Sequence, residues 1–416
     1  MRAAVIVCAL GTAAGAQTIP SGPTGPGAPT APAPIERAAM TPTPAAMAAW
    51  TNDFRARARA RGIADATVEA ALRGATFLPD VLERDANQAE FSKTLWDYLA
   101  TAVSDLRIEN GRARLVEHAD LLDAIEAEYG VDRHVVTAIW GLESAYGTFR
   151  GDTPVISSLS TLASGGRRAA FFEEQLVAAL RILEDGDTSP EDMVGSWAGA
   201  MGHTQFIPTS YLDLAVDFDG DGRRDIWGDD PADALASTAA YLADAGWITG
   251  TPWGVEVTLP DGFDYLMADR RDIRMPAEWA DLGVTATDGT PVPNDLGAGS
   301  ILLPGGHGGA AFVIFANFAA IERYNTADSY VIAVGHLADR LRGGDPILAD
   351  WPDDRALTGP ERRELQQLLT DAGHSTRGVD GRIGPNTIDA IRDYQQAQGL
   401  VPDGYAAPAL LTRLRG

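Results

Sequence analysis

The stretch IWGLESAYG, Ile139 to Gly147, sets a carboxylate on the greasy side of a helix. Counting back from Glu143, Trp140 lies three residues before it, Ile139 four and Val136 seven. Those positions share one helical face. Val135 and Leu142 widen the apolar surface beside them. A carboxyl group held against such neighbours loses hydration of its charged form, so its pKa rises. A glutamic acid still protonated near neutral pH can give a proton to a leaving oxygen. The glycine that follows suits a helix end, where the chain turns away and opens a cleft. Spacing alone also fits a terminal glutamate that swings into solvent.

Working outward, Asp132 stands where it can cap the helix carrying Glu143, and HADLLDAIEAEYG before it reads as an amphipathic helix stopped by Gly130. WTNDFRARARARGIADATVEAALRG has helical spacing broken at glycine. Helices return in NFAAIERYN and SYVIAVGHLADRL. Between them, about 253–315, short strand-like runs are cut by Pro and Gly and predict a small β-rich insertion. The fold class expected is mainly α (α+β). Residues 45–342 form the main domain, 343–356 a linker, and 357–416 a small helical domain. The last unit carries an internal echo: a helix with Gln-Gln, then an Asp-Gly turn at Asp380-Gly381 and again at Asp403-Gly404.

The 416 residues suffice for two or three domains, and a 45% hydrophobic, 22% charged composition is that of a globular protein. A net charge of -25 argues against nucleic acid, whose binding runs on counterion release to Lys and Arg, and against docking on anionic lipid. MRAAVIVCALGTAAGA, residues 1–16, has one Arg, a short apolar run and a small-residue end, the pattern of a secretory signal peptide. Residues 17–44 are a Pro/Ala-rich tether. Export is therefore expected, and the only cysteine, Cys8, would leave with the signal. No later stretch has the roughly 18 apolar residues of a membrane span.

Further segments carry chemistry. SGGRRAAFFEEQLVAALRIL places Arg167 and Arg168 at a helix start, beside the positive end of its dipole, which suits an anionic ligand or plain surface solubility. GSWAGAMGHTQFIPTSY offers close backbone approach at its glycines, with Ser196, Gln205 and Tyr211 for hydrogen bonds and stacking, a mixture sugars use. It equally fits a tight helix-loop junction. ERYNTADSY adds Tyr324, Asn325 and Tyr330. DFDGDGRRDIWG has acidic side chains at loop positions one, three, five and nine, namely Asp217, Asp219, Asp221 and Asp225. Gly222 provides the turn and Arg223 a backbone carbonyl, the EF-hand pattern for calcium. Position twelve is Gly228, so the closing carboxylate must come later, with Asp233 chosen over Asp229 and Asp230.

IWGLESAYG, GRRAAFFEEQL, GSWAGAMGHTQFIPTSYLDLAVDFDGDGRRDIW and IERYN, in this order, resemble the membrane-bound lytic murein transglycosylase B family, glycoside hydrolase family 103. The resemblance implies a lysozyme-like helical core with helical and β-rich additions, and cleavage of the MurNAc-β-1,4-GlcNAc bond of peptidoglycan. It implies Glu143 as the single acid/base, and Arg167, Arg168, Ser196, Gln205, Tyr324 and Tyr330 as glycan contacts, with Asn325 among them. Phe171 stands where the family can use Tyr. It also implies a structural calcium in a lengthened EF-hand-like loop and no cofactor for catalysis. One carboxylate suffices in that mechanism, because the C6 hydroxyl of the same MurNAc attacks C1 and leaves a 1,6-anhydro end. The sequence leaves open water as the acceptor, giving a hydrolytic muramidase, and a non-catalytic wall-binding scaffold. ELQQLL, GVDGRIGPNTIDAIRDYQ and GLVPDG resemble a peptidoglycan-binding domain. The expected location is the periplasm, with membrane association open; partners among wall-synthesis or division proteins are not named by the sequence.

Overall fold

The computed structural model describes residues 43–87 and 93–416. The expected signal segment and nearly all of the tether lie outside the described residues. The first helix, Pro44–Ala60, starts where Thr43 accepts the amide of Ala46 and Pro44 sets the first turn. Its buried residues Met47, Thr51, Phe54 and Ala58 follow the helical repeat and face Val155–Gly165. Gly62, at φ +84°, turns the chain into Asp65–Arg73.

Seventeen α-helices make the described structure mainly helical, the class expected. Two helical cores lie side by side. One forms where Arg133–Ser144 packs on Asp328–Arg342, through Val136, Ile139 and Trp140 against Tyr330, Val334 and Leu337. The other forms where Val155–Gly165 packs on Ala169–Asp185, through Leu159 and Leu162 against Phe172 and Leu176. Each such fully buried side chain contributes about 1.5–3 kcal/mol.

Six strands are described. β1 (Thr153–Pro154) and β2 (Val194–Gly195) form a short antiparallel pair beside the second core. β3 (Gly254–Thr258), β4 (Thr285–Ala286), β5 (Ser300–Leu302) and β6 (Ala311–Ile314) make an antiparallel sheet in the order β4-β3-β6-β5. β6 pairs Val313 with Val255 on one side and Ile301 on the other. All four of its residues are buried, because its two faces belong to different cores. Phe312 and Ile314 join the core beneath Glu143, while Ala311 and Val313 join the sheet's own core with Trp279 and Val257.

The C-terminal unit is three helices, Gly359–Asp371, Pro385–Ala397 and Pro408–Arg415, around Leu365, Leu369, Ile391 and Leu411. Its internal echo has a physical basis. Gln366 donates to Asp380 at 3.0 Å and accepts the Gly381 amide at 2.7 Å. Gln395 donates to Asp403 at 2.7 Å and accepts the Gly404 amide at 2.9 Å. In each half a buried glutamine on a helix staples an Asp-Gly turn.

Residues 343–356 contain little regular structure beyond the end of the preceding turn, yet they are pinned down. The Glu256 carboxylate accepts the amides of Leu348 and Ala349, and Trp351 stacks on Trp96 at 5.8 Å. The C-terminal unit in turn meets the β-rich insertion. Arg392 pairs with Asp269 at 3.1 Å, both largely shielded from water, and Arg271 pairs with Asp389 at 2.7 Å in the open. The exposed pair contributes about 0–1 kcal/mol, so docking rests on the shielded one and on Asp403, which accepts the His307 amide at 3.0 Å.

Candidate active site

Asp132 caps the helix that carries Glu143, accepting the His134 amide at 2.7 Å. Glu143 falls in the last turn, half-buried, with Ser144 beside it fully enclosed. Its Oε1 accepts a hydrogen bond from the Tyr330 hydroxyl at 2.6 Å. Burial pushes the Glu143 carboxyl up to about 7, and the Tyr330 bond, which favours the charged form, only partly opposes this. That displacement corresponds to about 3 kcal/mol against the carboxylate. Among the described residues no second acid perturbs it. Tyr324 lies close enough that the Glu143 charge adds to the burial that raises its own pKa, and its hydroxyl donates to Thr204 O at 2.6 Å.

The helix does not end at the glycine. Ala145 is its cap at φ +50°, Tyr146 follows at +59°, and Gly147 at +81°. Two non-glycine residues in the left-handed region cost about 1–2 kcal/mol each, so neighbours must hold them. Tyr146 is buried beside Gly141, where a Cβ would come within 2.6 Å of its ring, and its hydroxyl donates to Arg107 O at 2.8 Å. Ser144 Oγ donates to His203 O at 2.5 Å and accepts the Gly147 amide at 2.9 Å.

A cavity of about 230 Å³ is lined by Phe171, Gln205, Phe206, Tyr241, Tyr324 and Asn325, among others. It gathers four of the expected contact residues from three separate segments. Gln205 adopts φ +57°, and its amide donates to Arg150 O at 3.0 Å and Gly202 O at 2.9 Å. Asn325 is buried and caps the turn before Tyr330 by accepting the Ala327 amide at 3.1 Å. Phe206, Tyr241 and Tyr324 form a ring cluster, with Tyr241 and Tyr324 4.8 Å apart. Sequence reasoning passed over Phe206 and Tyr241. Phe206 directly follows Gln205, and Tyr241 is the lone aromatic residue of the helix Ala232–Asp244.

The other expected contact residues lie outside that lining. Ser196 is buried and its Oγ accepts the Ala200 amide at 3.0 Å, closing its own turn outside the cavity lining. Tyr211 is wholly buried with its hydroxyl on Arg224 O, so it presents no stacking face. Arg167 already has an anion: its guanidinium meets the buried Asp85, donating to Asp85 O at 2.5 Å. Arg168 lies over the Phe171 ring at 4.8 Å, and burial lowers its pKa against the opposing pull of Asp85.

In the acidic loop, Asp217, Asp219 and Asp221 are exposed, with carboxylate oxygens within 4.8 Å of one another. Gly220 and Gly222, at φ +78° and +91°, fold the loop so that Asp217 accepts both of their amides. Three hard oxygen donors so placed suit calcium. Asp225 and Asp233 stand apart from that trio. Asp233 is buried and spans the loop ends, accepting the amides of Phe218 at 2.7 Å and Asp225 at 2.8 Å. Asp225 accepts the amides of Trp227 and Gly228. Arg223, exposed, has its amide on Asp221. Asp233, expected as the closing carboxylate, thus ties the two ends of the loop together through backbone amides.

Comparison with known proteins places this geometry. The family model described as "Transglycosylase SLT domain" matches residues 46–339, and a peptidoglycan binding domain model matches 358–414. Membrane-bound lytic murein transglycosylase B of Escherichia coli (strain K12) is 33% identical over 240 residues. That alignment takes in 56% of this chain and 63% of the relative, so the chain spans less than two thirds of that protein's length. SltB3 from Pseudomonas aeruginosa, solved in complex with NAG-anhNAM-pentapeptide, is 50% identical, with a TM-score of 0.87 over 89% of this chain and 99% of that one. Escherichia coli Slt35 in complex with calcium is 29% identical, with a TM-score of 0.60 over 70% of this chain and 92% of that one. With the fold, the sheltered Glu143 and a match running from residue 46 to residue 339, the chain belongs to the SLT transglycosylase family.

Proposed function

We propose that the protein is a lytic transglycosylase that cleaves the MurNAc-β-1,4-GlcNAc bond of peptidoglycan and leaves 1,6-anhydroMurNAc ends. One observation carries the reading: a single carboxyl, its pKa raised to about 7, hydrogen-bonded to Tyr330 and, among the described residues, without a second acid to perturb it. Glu143, protonated, gives its proton to the glycosidic oxygen as that bond breaks. The resulting carboxylate is stabilised by the Tyr330 hydroxyl, a bond that strengthens once its acceptor is charged. Glu143 then takes the proton of the C6 hydroxyl as that oxygen bonds to C1. A paired-carboxylate hydrolase places a second acid within about 5–10 Å to act as nucleophile or base. Here the nucleophile belongs to the substrate, with the high effective concentration of an intramolecular attack.

Phe171, Gln205, Tyr324 and Asn325 line the groove that would take the glycan, with Arg168 held over Phe171. Arg167, bonded to Asp85, and Ser196, which closes its own turn on the Ala200 amide, are kept as glycan contacts on resemblance alone. Asp217, Asp219 and Asp221, with the Arg223 carbonyl, are the residues to hold a calcium ion, which would supply charge neutralisation to a folded loop. The C-terminal domain keeps the enzyme on its polymer. Among the described residues no helix is long and apolar enough to cross a membrane. The leader-like residues 1–16 support export to the periplasm, where this substrate lies.

Digestion of purified sacculi followed by mass analysis tests the reading. Anhydro-muropeptides from the wild type and none from Glu143→Gln are expected. Reducing MurNAc ends would make the enzyme a hydrolase, and equal release by both proteins would remove Glu143 from the mechanism.

A further inference from the structure

His203 lies between the end of the Glu143 helix and the acidic loop, and neither the glycan groove nor the aspartate trio uses it. It is 3% exposed. On one side it holds the helix end twice. The Trp140 indole N–H donates to His203 Nδ1 at 3.1 Å, and the Ser144 hydroxyl donates to His203 O at 2.5 Å. Those two residues flank Glu143, one a turn before it and one directly after. Gly147 completes the seat, because a Cβ there would lie 2.6 Å from His203 Nδ1.

On the other side His203 Nε2 lies 2.8 Å from Gly228 O. The indole N–H can only donate, so Nδ1 must accept, and the ring proton therefore sits on Nε2, aimed at Gly228. Arg150 donates to the same carbonyl. Gly228 is the twelfth residue of the acidic loop, and its amide is bound to Asp225 at 2.9 Å. The His203 amide also donates to Ile226 O at 3.1 Å, inside that loop. An unbroken set of hydrogen bonds thus runs from the loop, through one imidazole, to the turn carrying the carboxyl.

We propose that His203 is a positioning residue that couples the aspartate loop to Glu143, so that a cation held by Asp217, Asp219 and Asp221 tightens the end of the catalytic helix. The idea rests on Glu143 being the acid/base. The side-chain path is short: loop backbone, Gly228 carbonyl, imidazole and Trp140, with Ser144 held beside it by the His203 carbonyl. The end of the helix is where rigidity matters, because Ala145 and Tyr146 occupy left-handed conformations that only their neighbours maintain. Coupling of this kind is reciprocal, so the helix end must also be felt by the loop.

The test uses the full chain, with calcium alone as the probe and a chelator to remove it. With ¹⁵N-labelled tryptophan, the Trp140 indole N–H resonance is expected to move when calcium is added. In wild type, chelation is expected to lower kcat about 5-fold with KM nearly unchanged, the low end of common coupling strengths. Two variants break the side-chain relay at opposite ends and leave the main-chain bonds of His203 in place. In His203→Asn the amide oxygen can replace Nδ1 toward Trp140 but nothing reaches Gly228. In His203→Gln the amide nitrogen can replace Nε2 toward Gly228 but the indole loses its acceptor. Both should respond to chelation less than about 2-fold and bind calcium more weakly than wild type. An indole resonance indifferent to calcium, or variants that keep the full wild-type response, would overturn the proposal. The resonance needs no turnover, so it stands even if wild type releases no anhydro product, a result that would strike the proposed function alone.

Discussion

Glu143 and the loop Asp217–Asp225 carry the same functional group in opposite surroundings. Glu143 is one carboxyl, half-buried among apolar side chains, with a single hydroxyl partner. The loop holds three exposed carboxylates crowded within 4.8 Å. Isolation in a low-dielectric wall makes an acid keep its proton. Crowding in water makes acids seek a cation. The difference predicts that removing the lone carboxyl abolishes chemistry with little harm to the fold, whereas removing the loop's cation harms the fold first.

The largest effect expected is on turnover. Glu143→Gln keeps the volume and the Tyr330 contact but cannot give a proton, so kcat on sacculi should fall at least about 10³-fold, in the upper part of the range for a general acid. A residual rate within 10-fold of wild type would show that the proton comes from elsewhere. Next is the loop. If calcium is present at about 100 times its Kd, binding contributes about 2.7 kcal/mol to the folded state. Chelation should then lower Tm by about 3 °C for a chain of this size, and Asp217→Asn should make Tm indifferent to the chelator. An unchanged Tm on chelation would break the comparison at its acidic end.

How far the sequence disclosed this contrast depends on the range of each contact. The apolar face behind Glu143 is local and was legible from helical spacing alone. Its partner Tyr330 lies 187 residues away, so only resemblance could supply it. The contact of Arg167 with Asp85 could not be read from sequence, because Asp85 comes 82 residues earlier in an unremarkable helix. The clustering of Asp217, Asp219 and Asp221 was plain from spacing, whereas the bonds of Asp233 to the amides of Phe218 and Asp225 show only once the loop ends meet. β6 hides its alternation because both its faces are covered. His203 had no sequence signal, since its role exists only once Trp140, Gly147 and Gly228 are brought round it.

The buried acid also carries a cost that the loop does not. Glu143 sits at about 7 in the folded protein against an ordinary 4.5. Below pH 4.5 both the folded and unfolded forms are protonated and no penalty arises. As pH rises from 4.5 through 7 the unfolded chain ionises first, and folding stability falls by up to about 3 kcal/mol. Glu143→Gln escapes this loss. At pH 8 the variant should therefore be more stable than wild type by about 3 kcal/mol, and the two should melt together near pH 4. Identical melting at both values would mean that the carboxyl is solvated in the folded state, and that its isolation is not real.

Tyr330→Phe gives the smallest effect and the finest test, because two consequences have opposite signs. The hydroxyl favours the charged form of Glu143, so its loss should raise that pKa further. A bond contributing about 1 kcal/mol corresponds to about 0.7 pH unit. The basic limb of the pH profile, where activity falls as Glu143 loses its proton, should shift upward by about that amount. At the optimum, kcat should still drop about 5-fold, the rate equivalent of the same 1 kcal/mol, because the carboxylate formed after proton donation has lost the group that stabilised it. A merely structural tyrosine would lower kcat and leave the limb in place. Movement of the limb and the rate in these opposed directions would therefore mark Tyr330 as the one polar contact through which the protein adjusts an otherwise isolated acid.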